Sequence, residues 1–456
     1  MTTVCNKNTI QQNDRTNPIP NVYTFGCRLN TVESEIIRTQ ASAANIQDVV
    51  IINTCAVTEE AVRQAKQAIR RAKRNQPGSP IIVTGCAAQI YPQEFTKMRE
   101  VSLVIGNNIK LHPSTWERLA EYTHHNESIQ DTLQTEKIEN ENIIQNKLVW
   151  SDVFSCRSDK NYLINGIEGR AKAFIQIQNG CDHRCTFCVI PYGRGPSRSI
   201  PTHYILKQVS HLVEIGFNEV VLSGVDITSW GSDLPGTPKL GQLLTDILKH
   251  VSKLPRLRIS SVDSIELDSE TIELIGREHR IMPYLHLSLQ SGDDMILKRM
   301  KRRHSRADVI DFCNKIRALR EDIALGADLI AGFPTETEEM FDNSITLIQE
   351  CELSFLHVFP FSPHSQTPAA RMPQLDRHIV KERAARLRSV GRSTATARLN
   401  KEIGKSRNIL IEQNNQGRTE HFIKARISNT GHIYKCGEIV TAKICEHDCK
   451  ELKCTA

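Results

Sequence analysis

The segment Cys181-Asp-His-Arg-Cys185-Thr-Phe-Cys188 follows directly on an apolar run, residues 173–177, that is typical of a buried strand. Its C-x3-C-x2-C spacing brings three thiolates together in one tight loop. Thiolates favour iron–sulfur clusters, and three of them leave the fourth iron of a 4Fe-4S cluster without a protein ligand. Structural zinc sites normally have four protein ligands, and no further Cys or suitably spaced His follows. The loop therefore predicts a cluster with one open iron, in preference to a zinc site or disulfides.

The composition is that of a soluble globular protein of two to four domains, with 456 residues, 39% hydrophobic and 24% charged. Fourteen cysteines in this length are not the dense framework of a small secreted domain. The first 21 residues are polar, and no apolar run of about 18 residues occurs. We therefore expect a cytoplasmic protein without a membrane segment. The net charge of +6 leans mildly towards an anionic partner.

Three further cysteines each follow a predicted strand in the first part of the chain. The strands span residues 22–26, 49–53 and 80–85, a fourth is expected at 101–105, and helical patterns separate them. Such alternation predicts a parallel, doubly wound α/β sheet. Cys27, Cys55 and Cys86 then share its carboxyl edge, where these folds bind ligands. We expect them to hold a second cluster with an open iron; the alternative is three buried structural thiols.

The Cys181–Cys188 loop resembles that of the radical S-adenosylmethionine (SAM) enzymes. In that superfamily the open iron binds SAM, and electron transfer from the cluster cleaves SAM to a 5′-deoxyadenosyl radical. Six candidate strands, separated by helical segments, follow the pattern of the partial (β/α)6 barrel of those enzymes. They begin near residues 172, 219, 257, 284, 327 and 353. The active site of such a barrel is built from loops that follow the strands.

The loops after these strands carry the residues that we expect to bind SAM. Glycines let the backbone approach a ligand closely, and polar side chains match the amino, carboxylate and ribose groups of SAM. Phe187 occupies an aromatic position that often lines the adenine in this superfamily, although core packing is an equal alternative for it. His286 is expected to pack inside the barrel rather than to bind metal. The predicted SAM contacts are Phe187, Gly224, Asp226, Gln290 and Gly332.

Longer motifs around the cysteines resemble the methylthiotransferase family over residues 21–450. They are Gly26-Cys-Arg-Leu-Asn30 with Glu33 and Glu35, Asn53-Thr-Cys-Ala-Val57, Gly85-Cys-Ala-Ala-Gln89, and Arg194-Gly-Pro-Ser-Arg198-Ser. The resemblance implies that Cys27, Cys55 and Cys86 hold an auxiliary 4Fe-4S cluster that carries the sulfur to be inserted. It implies that Cys181, Cys185 and Cys188 hold the radical-generating cluster.

Several basic residues are candidates for contact with RNA phosphates. Arg194 and Arg198 follow the cluster loop and are alternatively placed to contact SAM, while Arg302 and Arg303 belong to a basic run after the Gln290 loop. The helical segment 57–75 is also rich in Lys and Arg, for which a solvated face is the favoured interpretation.

The domain organisation follows from these patterns. We expect an N-terminal methylthiotransferase domain at 21–120, a polar linker at 121–167, a radical SAM domain at 168–396 and a small β-barrel at 397–456. That barrel resembles the RNA-binding TRAM domain, with short strands near residues 408, 421 and 438. Cys445, Cys449 and Cys454 lie at its end, and a third cluster there is disfavoured because chain termini are poorly ordered.

The resemblance implies insertion of a methylthio group at C2 of N6-threonylcarbamoyladenosine at position 37 of tRNA, a single-stranded base of the anticodon loop. One SAM would supply the methyl group and another the radical, with electrons from a reductase or flavodoxin-type donor. The alternatives within the family are isopentenyladenosine in tRNA and an aspartate of a ribosomal protein. The alternative of another class is a non-catalytic iron–sulfur protein that binds RNA and senses redox state.

Overall fold

The computed structural model describes residues 20–124, 143–145, 147–156, 164–167, 169–428 and 431–456. The chain divides into two units, the first formed by its N-terminal part up to residue 162 together with Val189–Pro196. The second unit takes in residues 163–188 and all residues from Ser197 onwards. Segment 189–196, which the sequence analysis included in the central domain, thus packs within the first unit. Most of the predicted linker at 121–167 lies outside the described residues.

The first unit is built on a six-stranded sheet that is parallel except at one edge. Its strand order is β1-β2-β3-β4-β6-β5, and only β5 runs antiparallel to its neighbour. The strands are β1 (Asn21–Thr24), β2 (Val50–Thr54), β3 (Ile81–Gly85), β4 (Leu103–Ile105), β5 (Ile143–Gln145) and β6 (Leu148–Trp150). β2 and β3 are buried along their whole length, which explains their continuous apolar sequences.

Helices cover both faces of this sheet, as a doubly wound α/β fold requires. They are α1 (Arg28–Ala43), α2 (Glu59–Asn75), α3 (Cys86–Ile90), α4 (Pro92–Thr96), α5 (Pro113–His124) and α6 (Ile190–Arg194). Apolar residues of α1 and α5 form one core with the sheet, and those of α2, α3 and α4 form the other. Val62, Ile69 and Ala72 of α2 point into the core, so its basic residues lie on the opposite, solvated face, as expected.

The second unit contains six parallel strands in chain order. They are β7 (Ala173–Gln176), β10 (Glu219–Ser223), β11 with β12 (Arg256–Ile259 and Ser261–Val262), β13 (Tyr284–Gln290), β14 (Ala324–Ala331) and β15 (Phe355–Pro360). A short antiparallel pair, β8 (Gln178–Asn179) and β9 (Arg198–Ser199), lies beside them. Hydrogen bonding between the strands is interrupted at Ser260, between β11 and β12. The barrel strands therefore form one sheet of three strands, β7, β10 and β11, and one of four, β12 to β15. This arrangement confirms the predicted partial barrel.

Helices surround these strands and form the main core. They are α7 (Thr202–Glu214), α8 (Leu240–His250), α9 (Ser269–Arg277), α10 (Asp294–Arg299), α11 (Arg306–Leu319), α12 (Glu338–Glu350) and α13 (Arg377–Asn400). Leu285, Leu287 and Leu289 of β13 pack against helices in that core. Because side chains alternate along a strand, Tyr284 and His286 face the interior of the barrel.

The C-terminal strands form a closed barrel in the order β16-β17-β18-β20-β19. They are β16 (Ser406–Gln413), β17 (Gln416–Arg418), β18 (Lys424–Ile427), β19 (Ile439–His447) and β20 (Leu452–Thr455). The sequence predicted three of the five strands and missed β17 and β20, which are only three and four residues long. Phe422 from this barrel stacks on Tyr284 at the first residue of β13, with ring centroids 5.6 Å apart.

No α-helix among the described residues combines the length and the apolar composition needed to cross a bilayer.

The glycine at the end of β3, just before Cys86, lies very close to the backbone of β2. Gly85 has φ +96°, and a Cβ there would lie 2.3 Å from the Thr54 carbonyl oxygen. We expect Gly85→Ala to lower the free energy of unfolding by about 2 kcal/mol or more. Gly78→Ala is the matched control because nothing lies within 4 Å of its added Cβ. Urea unfolding followed by circular dichroism checks this, and equal midpoints for the two variants would contradict it.

Candidate functional site

The structure places Cys27, Cys55 and Cys86 at the carboxyl ends of β1, β2 and β3, as the sequence predicted. Cys55 and Cys86 are 4% and 3% exposed. Two glycines leave room for the cysteine side chains. A Cβ on Gly26 would lie 2.5 Å from the Cys55 sulfur, and one on Gly193 would lie 3.2 Å from the Cys86 Cβ. The three thiols therefore form one cluster within the first unit.

Burial governs the pKa of the two buried thiols. Burial first, and then the neighbouring Cys27 and Cys86, raise the pKa of Cys55 to about 12. Burial also raises the pKa of Cys86, while the positive charges of Arg194 and Lys110 oppose the shift. Cys55 and Cys86 are thus protonated at neutral pH without a metal, and iron binding would release their protons.

A buried ion-pair network lies against this cysteine cluster. Glu33 accepts hydrogen bonds from Arg194 (Nη1–Oε1, 2.8 Å) and from Lys110 (Nζ–Oε2, 2.6 Å). The second guanidinium nitrogen of Arg194 donates to Asn30 Oδ1 at 2.7 Å. The side chains of all three charged residues are at most 1% exposed. The network therefore holds two cations and one carboxylate away from water.

The pKa shifts in this network follow from its charges, which are two cations around one carboxylate. Burial alone would raise the pKa of Glu33, but Arg194 and Lys110 outweigh it and lower the value to about 2. Burial would lower the pKa of Arg194, yet Cys86, Glu33 and Cys27 raise it well above its usual range. Arg194 is therefore a permanent positive charge beside the thiols, where it favours their anionic, iron-binding form.

Two further residues of this site, Asn107 and Lys110, were not predicted from the sequence. Asn107 Nδ2 lies 3.8 Å from the Cys86 sulfur and donates to the Gly193 carbonyl oxygen at 2.7 Å. Lys110 also donates to Asn53 Oδ1 at 3.2 Å. Neither residue belongs to a sequence motif. Both follow β4 and come close to the cysteines only when the chain folds.

The second set of cysteines, Cys181, Cys185 and Cys188, lies in a single loop of the second unit. The backbone N–H of Cys188 donates to the Cys185 carbonyl oxygen at 3.1 Å, which closes a tight turn. Thr186 anchors the loop by donating its hydroxyl to the Arg299 carbonyl oxygen at 2.8 Å. Burial, followed by the charge of Asp226, raises the pKa of the Cys181 thiol.

The predicted SAM contacts lie around this loop, at the carboxyl ends of barrel strands. Gly224 follows β10, and a Cβ there would lie 2.6 Å from Ile227 Cγ2. Gln290 ends β13 with φ +74°. Gly332 follows β14 and donates its N–H to Glu336 Oε2 at 3.0 Å. Their contact with SAM stays a prediction.

The other two predicted contacts have protein partners. Phe187 packs against a small apolar cluster that includes Met300 and Phe333. Part of its ring therefore has the core-packing role that was the alternative to contact with adenine. Asp226 Oδ2 lies 2.9 Å from His183 Nε2 in the cysteine loop. Burial would raise the pKa of Asp226, but its bonds to His183 and Thr228 lower it. His183 was not predicted, although it stands between two motif cysteines.

Three of the four arginines predicted to contact RNA are buried. Arg194 is paired as described above, and Arg198 is 3% exposed. The side chain of Arg302 is 7% exposed, donates to Asp263 Oδ2 at 2.6 Å and lies 3.9 Å from the Cys185 sulfur. Burial disfavours contact of these three guanidinium groups with RNA phosphates, and such contact stays a prediction. Arg303 has its side chain 47% exposed, is paired with Glu266 and lies 2.7 Å from His183 Nε2. Its contact with RNA stays a prediction.

The residues present fit the predicted groups. A single zinc ion would hold three thiolates about 4 Å from one another. Among the described residues, neither cysteine triad brings all its sulfurs within 4.8 Å, so neither is arranged around a single zinc ion. The hydroxyls of Ser223 and Ser260, at barrel strand ends, are buried without a hydrogen-bond partner in the described part of the chain. They are available to the polar groups of SAM.

The C-terminal cysteines lie in different environments. Cys454 is buried inside the small barrel, whereas Cys445 and Cys449 are exposed. Their sulfurs are not among the convergent ligand sets found in the described residues.

Removal of the Glu33 charge isolates two buried cations. We expect Glu33→Gln to lower the free energy of unfolding of the iron-loaded protein by about 3 kcal/mol or more. Glu60→Gln is the matched control, because its ion pair with Arg63 is solvent-exposed and its loss should leave the urea midpoint unchanged. Equal midpoints for the two variants would refute the importance of the buried network.

Comparison with known proteins identifies two family regions. A model described as the radical SAM superfamily matches residues 175–348. A model described as an uncharacterized protein family, UPF0004, matches residues 20–106. These regions contain the second and the first cysteine sets, respectively.

The chain is similar to curated tRNA-modifying enzymes over most of its length. It is 49% identical over 424 residues to the threonylcarbamoyladenosine tRNA methylthiotransferase MtaB of Rickettsia prowazekii, covering 92% of this chain and 95% of that protein. It is 34% identical to MtaB of Aquifex aeolicus, covering 88% and 94%. Identity to a tRNA-2-methylthio-N(6)-dimethylallyladenosine synthase of Rickettsia rickettsii is 30%, covering 93% and 96%.

A solved structure shares the fold. The radical SAM methyltransferase TsrM from Kitasatospora setae superposes with a TM-score of 0.52 at 14% identity, covering 75% of this chain and 70% of TsrM. The fold, the two cysteine sets and the extended identity agree with the motifs found in the sequence. The chain belongs to the family of threonylcarbamoyladenosine tRNA methylthiotransferases within the radical SAM superfamily.

Proposed function

We propose that this protein inserts a methylthio group at C2 of N6-threonylcarbamoyladenosine at position 37 of tRNA. The observation that carries the proposal is the 49% identity to MtaB over 92% of the chain. The two separate cysteine triads supply the structural support, because they provide for two clusters in one chain. The lower identity of 30% to a dimethylallyladenosine synthase favours threonylcarbamoyladenosine over isopentenyladenosine.

The two triads have different roles in this proposal. Cys181, Cys185 and Cys188 hold the cluster that faces SAM, and Cys27, Cys55 and Cys86 hold the auxiliary cluster. When bound, the clusters and SAM supply the electron, the radical, the sulfur and the methyl group. A radical route is needed because an aromatic C–H bond offers no good polar route at neutral pH.

The remaining residues bind, orient and balance charge. Asp226 holds His183 and thereby fixes the cysteine loop. Gly224, Gln290 and Gly332 contact SAM from the ends of β10, β13 and β14, with Phe187 at its adenine. Arg194 offsets the negative charge of the auxiliary thiolates, in place of the RNA contact that the sequence analysis assigned to it.

The substrate is a base of the anticodon loop, which is single-stranded and therefore cheap to splay out. Arg303 and the solvated basic face of α2 are the proposed phosphate contacts, and the C-terminal barrel is a further RNA-binding element. The enzyme acts in the cytoplasm with electrons from a reductase or flavodoxin-type donor.

Loss of the protein tests the reaction and the substrate together. In tRNA from cells that lack it, we expect the methylthio form of threonylcarbamoyladenosine to disappear and its precursor to accumulate. Mass spectrometry of digested tRNA measures both nucleosides. Unchanged levels would refute the proposed substrate, and the methylthio form of isopentenyladenosine and the mass of the ribosomal protein would then distinguish the alternatives.

Cysteine variants separate the two sites. We expect Cys181→Ala to abolish reductive cleavage of SAM, and Cys55→Ala to retain cleavage but form no methylthio product. Each variant should lose about four irons per chain. Cys436→Ala, at an exposed position in the C-terminal part of the chain, is the control and should match the unmodified protein. SAM cleavage by the Cys181 variant would refute its assignment, and full product from the Cys55 variant would refute the auxiliary site.

A further inference from the structure

A cluster of polar side chains inside the central barrel contains no cysteine and has no part in the proposed reaction. His286, Asp328 and His357 come from the neighbouring strands β13, β14 and β15. Asp328 stands directly opposite His357, and His286 stands opposite Gly326, two residues before Asp328. Because side chains alternate along strands, all three project from the same face of the sheet.

The ligand atoms of this cluster converge on a single point. His286 Nε2 lies 2.8 Å and His357 Nδ1 lies 3.1 Å from the same oxygen, Oδ1 of Asp328. All three atoms lie within 4.8 Å of one another. Tetrahedral ligands with bonds of about 2.1 Å to one ion lie about 3.4 Å apart, so each imidazole nitrogen would move only a few tenths of an ångström from the carboxylate oxygen to share an ion with it.

A second layer of residues fixes the orientation of the buried imidazole. The Tyr284 hydroxyl lies 2.8 Å from His286 Nδ1, which leaves Nε2 directed at Asp328. Gly326 makes room for this pair, since a Cβ there would lie 2.6 Å from the tyrosine oxygen and 2.8 Å from Nδ1. Metal-binding histidines generally have their second nitrogen held in this way.

The cluster is closed on one side and open on the other. The side chain of His286 is 9% exposed, that of Asp328 22% and that of His357 57%. An ion could therefore enter from the side of His357 and keep water on its free coordination positions.

We propose that His286, Asp328 and His357 form a binding site for a divalent transition-metal ion of the zinc type. Two imidazoles and one carboxylate are the donor set of zinc and of ferrous iron in proteins, whereas magnesium and calcium prefer oxygen ligands. The bound ion would tie β15, the last strand of the barrel, to β13 and β14. The alternative is a hydrogen-bonded cluster in which both imidazoles donate to one carboxylate oxygen without a metal.

Zinc binding to the iron-loaded enzyme tests this site. The full chain, with both clusters loaded and its iron measured, is dialysed against zinc, and bound zinc is counted by mass spectrometry. We expect Asp328→Asn and His357→Ala to bind one zinc fewer than the unmodified enzyme. His279→Ala is the matched control, because His279 is exposed and lies beside a single carboxylate, Glu278. Equal zinc content in all four proteins would overturn the proposal.

X-ray absorption at the zinc edge identifies the ligands. We expect only nitrogen and oxygen neighbours at about 2.0–2.1 Å, and sulfur neighbours at about 2.3 Å would overturn the proposal by placing the ion on cysteines. Tyr284→Phe keeps all three ligands and removes only the orienting hydroxyl, so we expect zinc affinity to fall 10- to 100-fold. Unchanged affinity in this variant and in His357→Ala would favour the hydrogen-bonded cluster.

Discussion

The first unit depends on one buried carboxylate. Glu33 of α1 joins Lys110, which follows β4, to Arg194, which comes from a distant part of the sequence. Two cations around one carboxylate leave a positive charge that water does not screen. A buried charge is tolerated only where an anion compensates it, and the thiolates of the neighbouring cysteines would be that anion once they hold iron. The network thus couples the packing of the unit to the loading of its cysteines.

The chain brings three thiols together in two different ways. In the second unit a short loop does so by local spacing, and the backbone turn from Cys185 to Cys188 completes the arrangement. In the first unit the thiols are about 30 residues apart and meet because parallel strands end at one edge. The loop arrangement is decided by local geometry, whereas the sheet arrangement requires the whole unit to fold first.

Residues that obey local rules were predictable from the sequence. The placement of all six cysteines after strands or in one loop, and the alternation of strands with helices, follow from hydrophobic periodicity and motif spacing. The partners of Arg194 were not predictable, because Glu33 lies 161 positions away and a basic residue near a motif is equally consistent with an RNA contact. For His286 the sequence favoured packing inside the barrel over metal binding, because the cluster with Asp328 and His357 forms only when three strands align in register. β17 and β20 are too short to show a period.

The first unit is discontinuous, and this decides how the protein can be divided for experiment. A fragment that ends before residue 163 would contain Cys27, Cys55 and Cys86 but would lack Val189–Pro196. In such a fragment Glu33 would face Lys110 alone, and the surface covered by Val189 and Tyr192 would be open to solvent. The isolated N-terminal domain is therefore an incomplete version of the site. A faithful minimal protein needs the returning segment supplied on the same chain, for example through a linker or a circular permutation.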